Sequence, residues 1–195
     1  MSELSPNAAV VVLAYILDRA GGRILMLHHN TDPGDSSYGK YNGLSGRMMK
    51  NESVLDTAHR IIRNETQVEP GDMLWRGMVH WSGFGADSHS LLGCVFLVDG
   101  LRGLAQSTTS RGRLQWVEID KLMTNQVPMW PGDEDLLPLV LDPAWVKAIE
   151  ASLPELPDAT YQLWVRGYGL LDSKPIWSHP SDVTARPGQT DVGGR

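Results

Sequence analysis

The chain has 195 residues, of which 42% are apolar and 21% are charged, which indicates a folded, soluble protein of one domain with extensions. It carries 17 basic against 23 acidic side chains, and this net charge of -6 excludes the basic surface that binders of duplex nucleic acid present. A nucleotide would have to be bound by a local basic site or a metal ion. The single cysteine, Cys94, excludes an intramolecular disulfide, suits a cytoplasmic protein, and is predicted to be a buried thiol.

The longest apolar run of the chain is Ala8–Leu17. It is shorter than the roughly 20 apolar residues that a membrane-spanning helix requires. It also lacks the basic start and the small-residue cleavage site of a signal peptide. We therefore interpret it as a buried strand and expect no membrane partner.

The first half of the chain predicts a strand hairpin, a loop and a helix. In chain order the predicted elements are strands Asn7–Asp18 and Arg23–His29, a polar loop Asn30–Lys40, a short glycine-bearing segment Tyr41–Gly46 and a helix Ser53–Gln67. Asn51 or Glu52 is expected to cap this helix or to supply its first-turn acid. The helix has to end before Pro70.

The second half predicts more strands and then helices. The predicted elements are strands Met73–Ser82, Ser88–Val98 and Leu114–Ile119, helices Asp133–Leu141 and Pro143–Leu153, and a late strand pair Tyr161–Gly167 and Lys174–Ser178. This order indicates an α/β (α+β) arrangement in which helices pack on a mixed β-sheet. We predict a main domain over residues 1–155, a C-terminal hairpin extension over 156–180 and a polar tail over 181–195.

Polar residues at fixed spacing surround the predicted helix. They are Gly46, then Glu52 after five residues, and after seven more the run Arg60-Ile61-Ile62-Arg63-Asn64-Glu65-Thr66-Gln67-Val68. This segment resembles the Nudix box, which reads Gly, five residues, Glu, seven residues, Arg-Glu-apolar-any-Glu-Glu-any-Gly-apolar. The matches are Gly46, Glu52, Arg60, Ile62, Glu65 and Val68. The departures are Ile61 and Asn64 in place of glutamates and Gln67 in place of glycine.

The resemblance implies the Nudix fold, with a mixed sheet between helices, and cleavage of a diphosphate linkage with Mg²⁺ or Mn²⁺. It implies Glu52, Arg60 and Glu65 as catalytic residues, with Arg60 orienting Glu52. Glu52 as a purely structural partner of Arg60 is the alternative. The implied metal ligands are Gly46, Asn64 and Glu65. Of the three glutamates that project from the family's helix, only Glu65 is kept, because Ile61 cannot ligate a hard cation and Asn64 offers one neutral oxygen.

Two further stretches resemble the 8-oxo-dGTP diphosphatase subgroup of that family. They are Lys40-Tyr41-Asn42-Gly43-Leu44-Ser45-Gly46 and Met129-Trp130-Pro131-Gly132-Asp133-Glu134. The resemblance implies that Asn42, Trp130 and Asp133 bind the base, although Gly132 replaces the first acid of the subgroup's pair. A core role for Trp130 and an N-cap role for Asp133 are the alternatives. Trp116 is predicted to lie in the core.

A later basic stretch contains Arg111 and Arg113, where some relatives carry a glutamate. Both arginines are candidates to hold phosphate directly. Two main hypotheses follow: a nucleoside triphosphate pyrophosphohydrolase, with oxidised purines among its candidate substrates, or a nucleotide-binding sensor or scaffold without turnover. A third is a structural role in which the Tyr161–Ser178 hairpin contacts a second copy, giving a homodimer.

Overall fold

The computed structural model describes residues 8–84, 89–141, 165–169 and 175–177, with residues 82–84, 89, 134, 165–169 and 175–177 described by their backbone alone. Within these ranges, ten strands form one mixed sheet and three helices accompany it. The elements are β1 (Ala9–Asp18), β2 (Arg23–His29), β3 (Tyr41–Asn42), β4 (Leu44–Arg47), α1 (Val54–Thr66), β5 (Pro70–Phe84), β6 (His89–Leu101), β7 (Thr108–Thr109), β8 (Gly112–Glu118), α2 (Ile119–Met123), α3 (Asp133–Leu141), β9 (Val165–Gly169) and β10 (Pro175–Trp177).

The strands of the sheet follow the order β10-β9-β5-β6-β1-β2-β8-β7, with β3 added beside β2 and β4 beside β1. The pairs β1–β6 and β5–β9 are parallel, and the other pairs are antiparallel. Successive side chains of a strand point to opposite faces, so β1 and β2 contribute alternate residues to two cores. This arrangement is the predicted α+β fold with a mixed sheet, which is confirmed.

Each face of the sheet is covered by helix. On one face, Ala58, Ile61 and Ile62 of α1 pack with buried residues of β1, β2 and β6. On the other face, α2 and α3 supply the second core with the buried residues Leu122, Leu136, Leu137 and Val140. The fully buried Arg76 of β5 donates from Nη2 to the carbonyl oxygen of Leu139 at 2.7 Å, which attaches the last turn of α3 to the sheet.

Helix α1 begins at a capping box formed by Ser53 and Asp56. The Ser53 hydroxyl accepts from the Asp56 amide at 3.1 Å, and the Asp56 carboxylate accepts from the Ser53 amide at 3.0 Å. The prediction of Asn51 or Glu52 as the cap was therefore wrong by one or two residues. Asn51 has a φ of 68° and belongs to the turn before the helix.

Most predicted elements are present, and their ends differ. Strand β2 and helix α3 have the predicted bounds, whereas β5 and β6 extend beyond theirs. The short β7 and α2 were not predicted, because two to five residues carry too little periodicity. The predicted helix Pro143–Leu153 and the tail lie outside the described residues.

The two late strands, β9 and β10, pair with each other as the sequence predicted, and β9 also joins β5. Cys94 is buried, as predicted. Trp116, predicted to be core, is 37% exposed and lies beneath the Arg23 guanidinium at 5.2 Å. Among the helices that the structure describes, none has the length and apolar character that crossing a membrane demands.

Helix α1 ends at Gln67, which adopts the left-handed conformation with φ 60° and ψ 21°. Glycine adopts this conformation without steric cost, whereas a side chain costs about 1–2 kcal/mol. The Gln67 side chain offsets part of this cost because its Nε2 donates to the carbonyl oxygen of Asn64 at 2.9 Å. The departure from the glycine of the Nudix box therefore leaves the backbone shape of the box intact.

We predict that Gln67→Gly raises the free energy of unfolding by roughly 0.5–1 kcal/mol, since it removes the left-handed strain at the loss of two exposed side-chain hydrogen bonds, of which the one to Arg63 is long at 3.4 Å. Urea denaturation measures this change. Gln67→Ala is the matched control, because it loses the same hydrogen bonds and keeps the strain, and it should destabilise the protein. A glycine variant no more stable than the alanine variant contradicts the prediction.

Candidate functional site

Ile61 occupies the first departure from the Nudix box, and it lies against the backbone of Gly46. The side chain is 4% exposed and belongs to the core on the α1 face. A Cβ atom at Gly46 would lie 3.0 Å from both Cγ1 and Cδ1 of Ile61, so only glycine lets β4 approach α1 this closely without displacement. The position that carries a carboxylate in the family consensus is thus a packing contact here.

Glu52 and Arg60 form the ion pair that the box resemblance implied. Arg60 donates from Nε to Glu52 Oε1 at 2.5 Å and from Nη2 to Glu52 Oε2 at 2.8 Å, and its Nη2 also donates to the Arg47 carbonyl at 2.9 Å. Glu52 further accepts from the Met49 amide and the Thr57 hydroxyl. These bonds, led by those from Arg60, lower the pKa of Glu52 to about 2. A carboxylate so engaged is a weak base and anchors the loop before α1.

Glu65, the retained metal-facing glutamate of the box, lies beside Arg111. Arg111 Nε is 2.9 Å from Glu65 Oε1, and the side chains are 35% and 14% exposed respectively. The angles of this contact are not those of a hydrogen bond. Nε and Nη2 of Arg111 are both buried without a hydrogen-bond partner among the residues that the structure describes. The pair is therefore held by charge, and the guanidinium keeps donors free for another acceptor.

Two local features bring Arg111 to the end of α1. Arg111 lies in the turn between β7 and β8, where its amide donates to the Thr109 hydroxyl at 3.0 Å. The next residue, Gly112, has a φ of 156°, and a Cβ there would lie 2.0 Å from the His28 carbonyl oxygen. On the helix side, Gln106 Nε2 donates to the Glu65 carbonyl at 2.7 Å. The turn and the helix end are thus fixed independently of the ion pair.

His29 at the end of β2 adjoins this pair; the sequence offered His28 or His29 as a weak candidate to face a ligand, with a structural role as the alternative. It lies opposite Gly112 in the β2–β8 register. Burial, followed by the positive charge of Arg111, lowers the pKa of His29, and the nearby Glu65 acts in the opposite direction. His29 is therefore neutral at physiological pH. The pair His28-His29 at a strand end was the only sign in the sequence that a histidine lies beside this ion pair.

The donor atoms near Glu65 do not fit a complete site for a hard divalent cation. Asn64 is exposed and Ile61 is apolar, which leaves Glu65 as the one carboxylate of the three family positions. Across the described ranges, no group of three or more His, Cys, Asp or Glu side chains is arranged to hold a metal ion. Mg²⁺ prefers near-octahedral oxygen ligation, usually with one or two carboxylates, and the single carboxylate here already faces a cation.

The predicted base-binding residues line the other side of the same strand ends. Lys40 Nζ lies 4.4 Å from the centre of the Trp130 ring, so one face of this indole contacts a cation. Tyr41 stacks on His28 at 4.4 Å with an interplanar angle of 3°, and its amide donates to the Pro128 carbonyl at 2.7 Å. Strand β3 is thereby attached to the loop that carries Trp130.

Asp133 is 8% exposed at the start of α3, and its Oδ2 is buried without a hydrogen-bond partner in the described part of the chain. Burial raises the pKa of this carboxyl to about 7, against a smaller opposing effect of a backbone hydrogen bond from Trp130. The preceding residue, Gly132, has a φ of 92°. A side chain at that position would be strained.

The structure brings some candidates together and leaves others apart. Glu65 meets Arg111, and Glu52 meets Arg60. Asn42, on β3, lies opposite Leu27 of β2. No hydrogen bond joins Asn42 to Asp133 in the described ranges. Arg113 is exposed and lies opposite His28 in the register of β2 and β8.

Comparison with known proteins gives one short, strong local similarity. Thirty-eight residues, 20% of this chain, are 68% identical to a segment of the B subunit of aspartyl/glutamyl-tRNA(Asn/Gln) amidotransferase from Caulobacter vibrioides. The corresponding protein of Jannaschia sp. is 60% identical over 40 residues. Each match spans only 8% of the relative's length, so this similarity describes a shared segment rather than a shared protein.

Solved structures share the fold at low sequence identity. A mutator MutT protein from Bacillus halodurans superposes with a TM-score of 0.59 at 16% identity, covering 87% of this chain and 95% of that one. The NUDIX domain of Shewanella oneidensis NrtR, solved with ADP ribose, gives a TM-score of 0.53 at 16% identity and covers 69% of this chain and 84% of that domain. A family model described as NUDIX domain matches residues 7–140, well over half of the sequence. The chain therefore belongs to the Nudix family.

Proposed function

We propose that this Nudix protein hydrolyses a nucleoside triphosphate of an oxidised purine to the nucleoside monophosphate and pyrophosphate. The observation that carries the proposal is the carboxyl of Asp133 beside Trp130, buried and without a hydrogen-bond partner for Oδ2 in the described residues. Asp133 begins α3 directly after the loop that is bonded to β3, and β3 pairs with β2, whose end adjoins Glu65 and Arg111. The proposal puts the base beside Asp133 and the phosphates beside Arg111.

The base side has the chemistry that a purine edge requires. A carboxyl with a pKa of about 7 carries a proton near neutral pH, so it both donates and accepts a hydrogen bond. Trp130 offers a flat ring, and stacking a base on an aromatic ring contributes about 1–3 kcal/mol. Lys40 now lies over that ring, and such a contact is worth about 0.5–1 kcal/mol when exposed. The ammonium group also donates to the Ser36 carbonyl, so a base that stacks on Trp130 has to displace it from the ring face only.

On the phosphate side, Glu65 is the carboxylate available to a reacting water. Hydrolysis forms a bond from the water oxygen to phosphorus while Glu65 accepts the proton of the water, and the bridging phosphorus–oxygen bond breaks with its electron pair leaving on the pyrophosphate. Family membership suggests Mg²⁺ or Mn²⁺ as the cofactor. Because the donor set around Glu65 does not fit the multi-carboxylate arrangement, we assign no step to an ion.

A nucleotide-binding module without turnover is the second candidate. The contact of 2.9 Å between Arg111 Nε and Glu65 Oε1 favours it, because a carboxylate neutralised by a guanidinium is a poorer base and a poorer metal ligand. Arg111 and Arg113 can each contribute charge to phosphate binding in such a module. Nucleotide binding without product separates this candidate from the first.

For the hydrolase, we predict that Glu65→Gln lowers kcat by at least about 10²-fold, since removal of a catalytic acid or base has effects of this size. Release of pyrophosphate from 8-oxo-dGTP and dGTP, with and without Mg²⁺ or Mn²⁺, is the measurement. The control is Glu69→Gln, an exposed glutamate paired with Arg63, which should change kcat by less than about twofold. Equal product from wild type and Glu65→Gln excludes the hydrolase.

Restoring the missing carboxylates tests both candidates together. We predict that the double variant Ile61→Glu/Asn64→Glu increases Mg²⁺-dependent hydrolysis from a low level or from zero. Because Ile61 is buried, the change should also lower the free energy of unfolding by roughly 2–4 kcal/mol, so folding is checked by circular dichroism. The Ile61→Gln/Asn64→Gln variant, which adds the same shape without the charge, is the control. No gain in a folded double variant means that the pocket does not hold a substrate in reach.

The raised pKa of Asp133 makes a separate prediction about stability. Its carboxyl ionises near pH 3.8 when unfolded and near 7 when folded, so the folded protein holds an extra proton between these values and loses stability as the pH rises. The loss from pH 4 to pH 8 is at most about 4 kcal/mol. We expect Asp133→Asn to reduce this decline, as measured by urea denaturation at several pH values. Asp72→Asn, at an exposed position, should not. Parallel pH profiles for wild type and Asp133→Asn contradict the assignment.

A further inference from the structure

The carboxylate of Glu65 is too buried for water alone to stabilise its negative charge. Its side chain is 14% exposed, and a partly buried carboxylate requires an opposite charge or several hydrogen-bond donors. In this chain the opposite charge comes from Arg111, which approaches from the turn between β7 and β8. A divalent cation bound to the same oxygen would lie beside a fixed positive charge, and the two cations would repel each other. The guanidinium and an ion therefore compete for Glu65.

The guanidinium itself is incompletely satisfied. Arginine has five donors in a planar fork. In Arg111, Nε faces the Glu65 carboxylate at 2.9 Å, and Nη2 is buried without a hydrogen-bond partner within the described ranges. A buried donor without an acceptor is costly. A phosphate oxygen matches the charge and the hydrogen-bonding capacity of Nη2, so this donor suits a phosphate-like anion.

The surroundings of Arg111 add a second positive charge. Arg113 lies two residues further on, exposed at the same strand ends. Asp35, an acid close enough to act on the neighbouring His29, is turned into its own loop by bonds from Ser37.

We infer that Arg111 takes the place of the divalent cation, so that the protein binds the phosphates of its nucleotide through the Arg111 guanidinium, without requiring a metal ion, while Glu65 holds that guanidinium in position. This inference rests on the proposed nucleotide ligand and concerns its phosphate site only. Arg111 contacts both the ligand and Glu65, whereas Glu65 is a positioning residue for binding. Its role as a base in hydrolysis is a separate matter.

The test uses the full chain and two probes. Binding of inorganic pyrophosphate and of the nonhydrolysable α,β-methylene analogue of dGTP is measured by calorimetry in excess EDTA. Wild type should bind both, Arg111→Gln should weaken pyrophosphate binding at least tenfold, and Arg111→Lys should recover only part of it because the fork is lost. Arg63→Gln, which removes an exposed arginine from a similar ion pair with Glu69, is the matched control and should bind like wild type.

A second readout follows Mn²⁺ alone by electron paramagnetic resonance, and does not depend on activity. Wild type should bind Mn²⁺ weakly, Arg111→Gln should bind it at least tenfold more tightly, and the double variant Arg111→Gln/Glu65→Gln should lose that gain. Pyrophosphate binding that disappears in EDTA overturns the inference. Equal affinity of wild type and Arg111→Gln for pyrophosphate overturns it as well. Metal-free, Arg111-dependent binding without hydrolysis refutes the hydrolase and upholds this inference. Mg²⁺-dependent hydrolysis with no pyrophosphate binding in EDTA upholds the hydrolase and refutes this inference.

Discussion

The contact between Ile61 and the backbone at Gly46 sets the position of α1, and the site depends on that position. The side chain is almost fully buried, and β4 approaches it more closely than any residue with a Cβ would allow without a shift. One turn further along the helix, Glu65 is held at a fixed height above the strand ends. A carboxylate at position 61 would need solvent or an ion beside it, whereas the isoleucine side chain packs into the core.

That exchange alters the electrostatics of the whole box. With Ile61 apolar and Asn64 neutral, Glu65 is the one carboxylate at these three positions of α1, and Arg111 balances its charge. The second ion pair, between Glu52 and Arg60, is separate and gives the loop before α1 its shape.

Much of the fold could be predicted from the sequence because its elements are long and periodic. Strand β2, helix α3 and the body of α1 were predicted closely, as was the Glu52–Arg60 pair, which follows from the motif. The αL conformation at Gln67 and the positive φ at Gly132 explain two departures from consensus that looked like defects in the sequence. Gln67 preserves the left-handed backbone that a glycine would adopt at the end of α1. At Gly132 the positive φ favours glycine.

The contacts that decide the chemistry could not be read from local pattern. Arg111 reaches Glu65 because Gly112 lets the β7–β8 turn lie against the carbonyl of His28. That contact is set by the pairing register of β2 and β8, which are far apart in the sequence. Lys40 meets Trp130 across two loops. Trp116 lies within the predicted strand and is still 37% exposed, with the Arg23 guanidinium over its ring.

Within the described part of the chain, two buried polar groups without hydrogen-bond partners therefore mark the same end of the sheet: Asp133 Oδ2 on the α3 side and Arg111 Nη2 on the α1 side. Each such group costs about 1–3 kcal/mol, a sizeable part of a typical net stability. β2 lies between β3 and β8, so the two groups belong to neighbouring strand ends. A ligand that offers a hydrogen-bonding edge to one group and an anion to the other would offset both costs, and the proposed nucleotide carries both features.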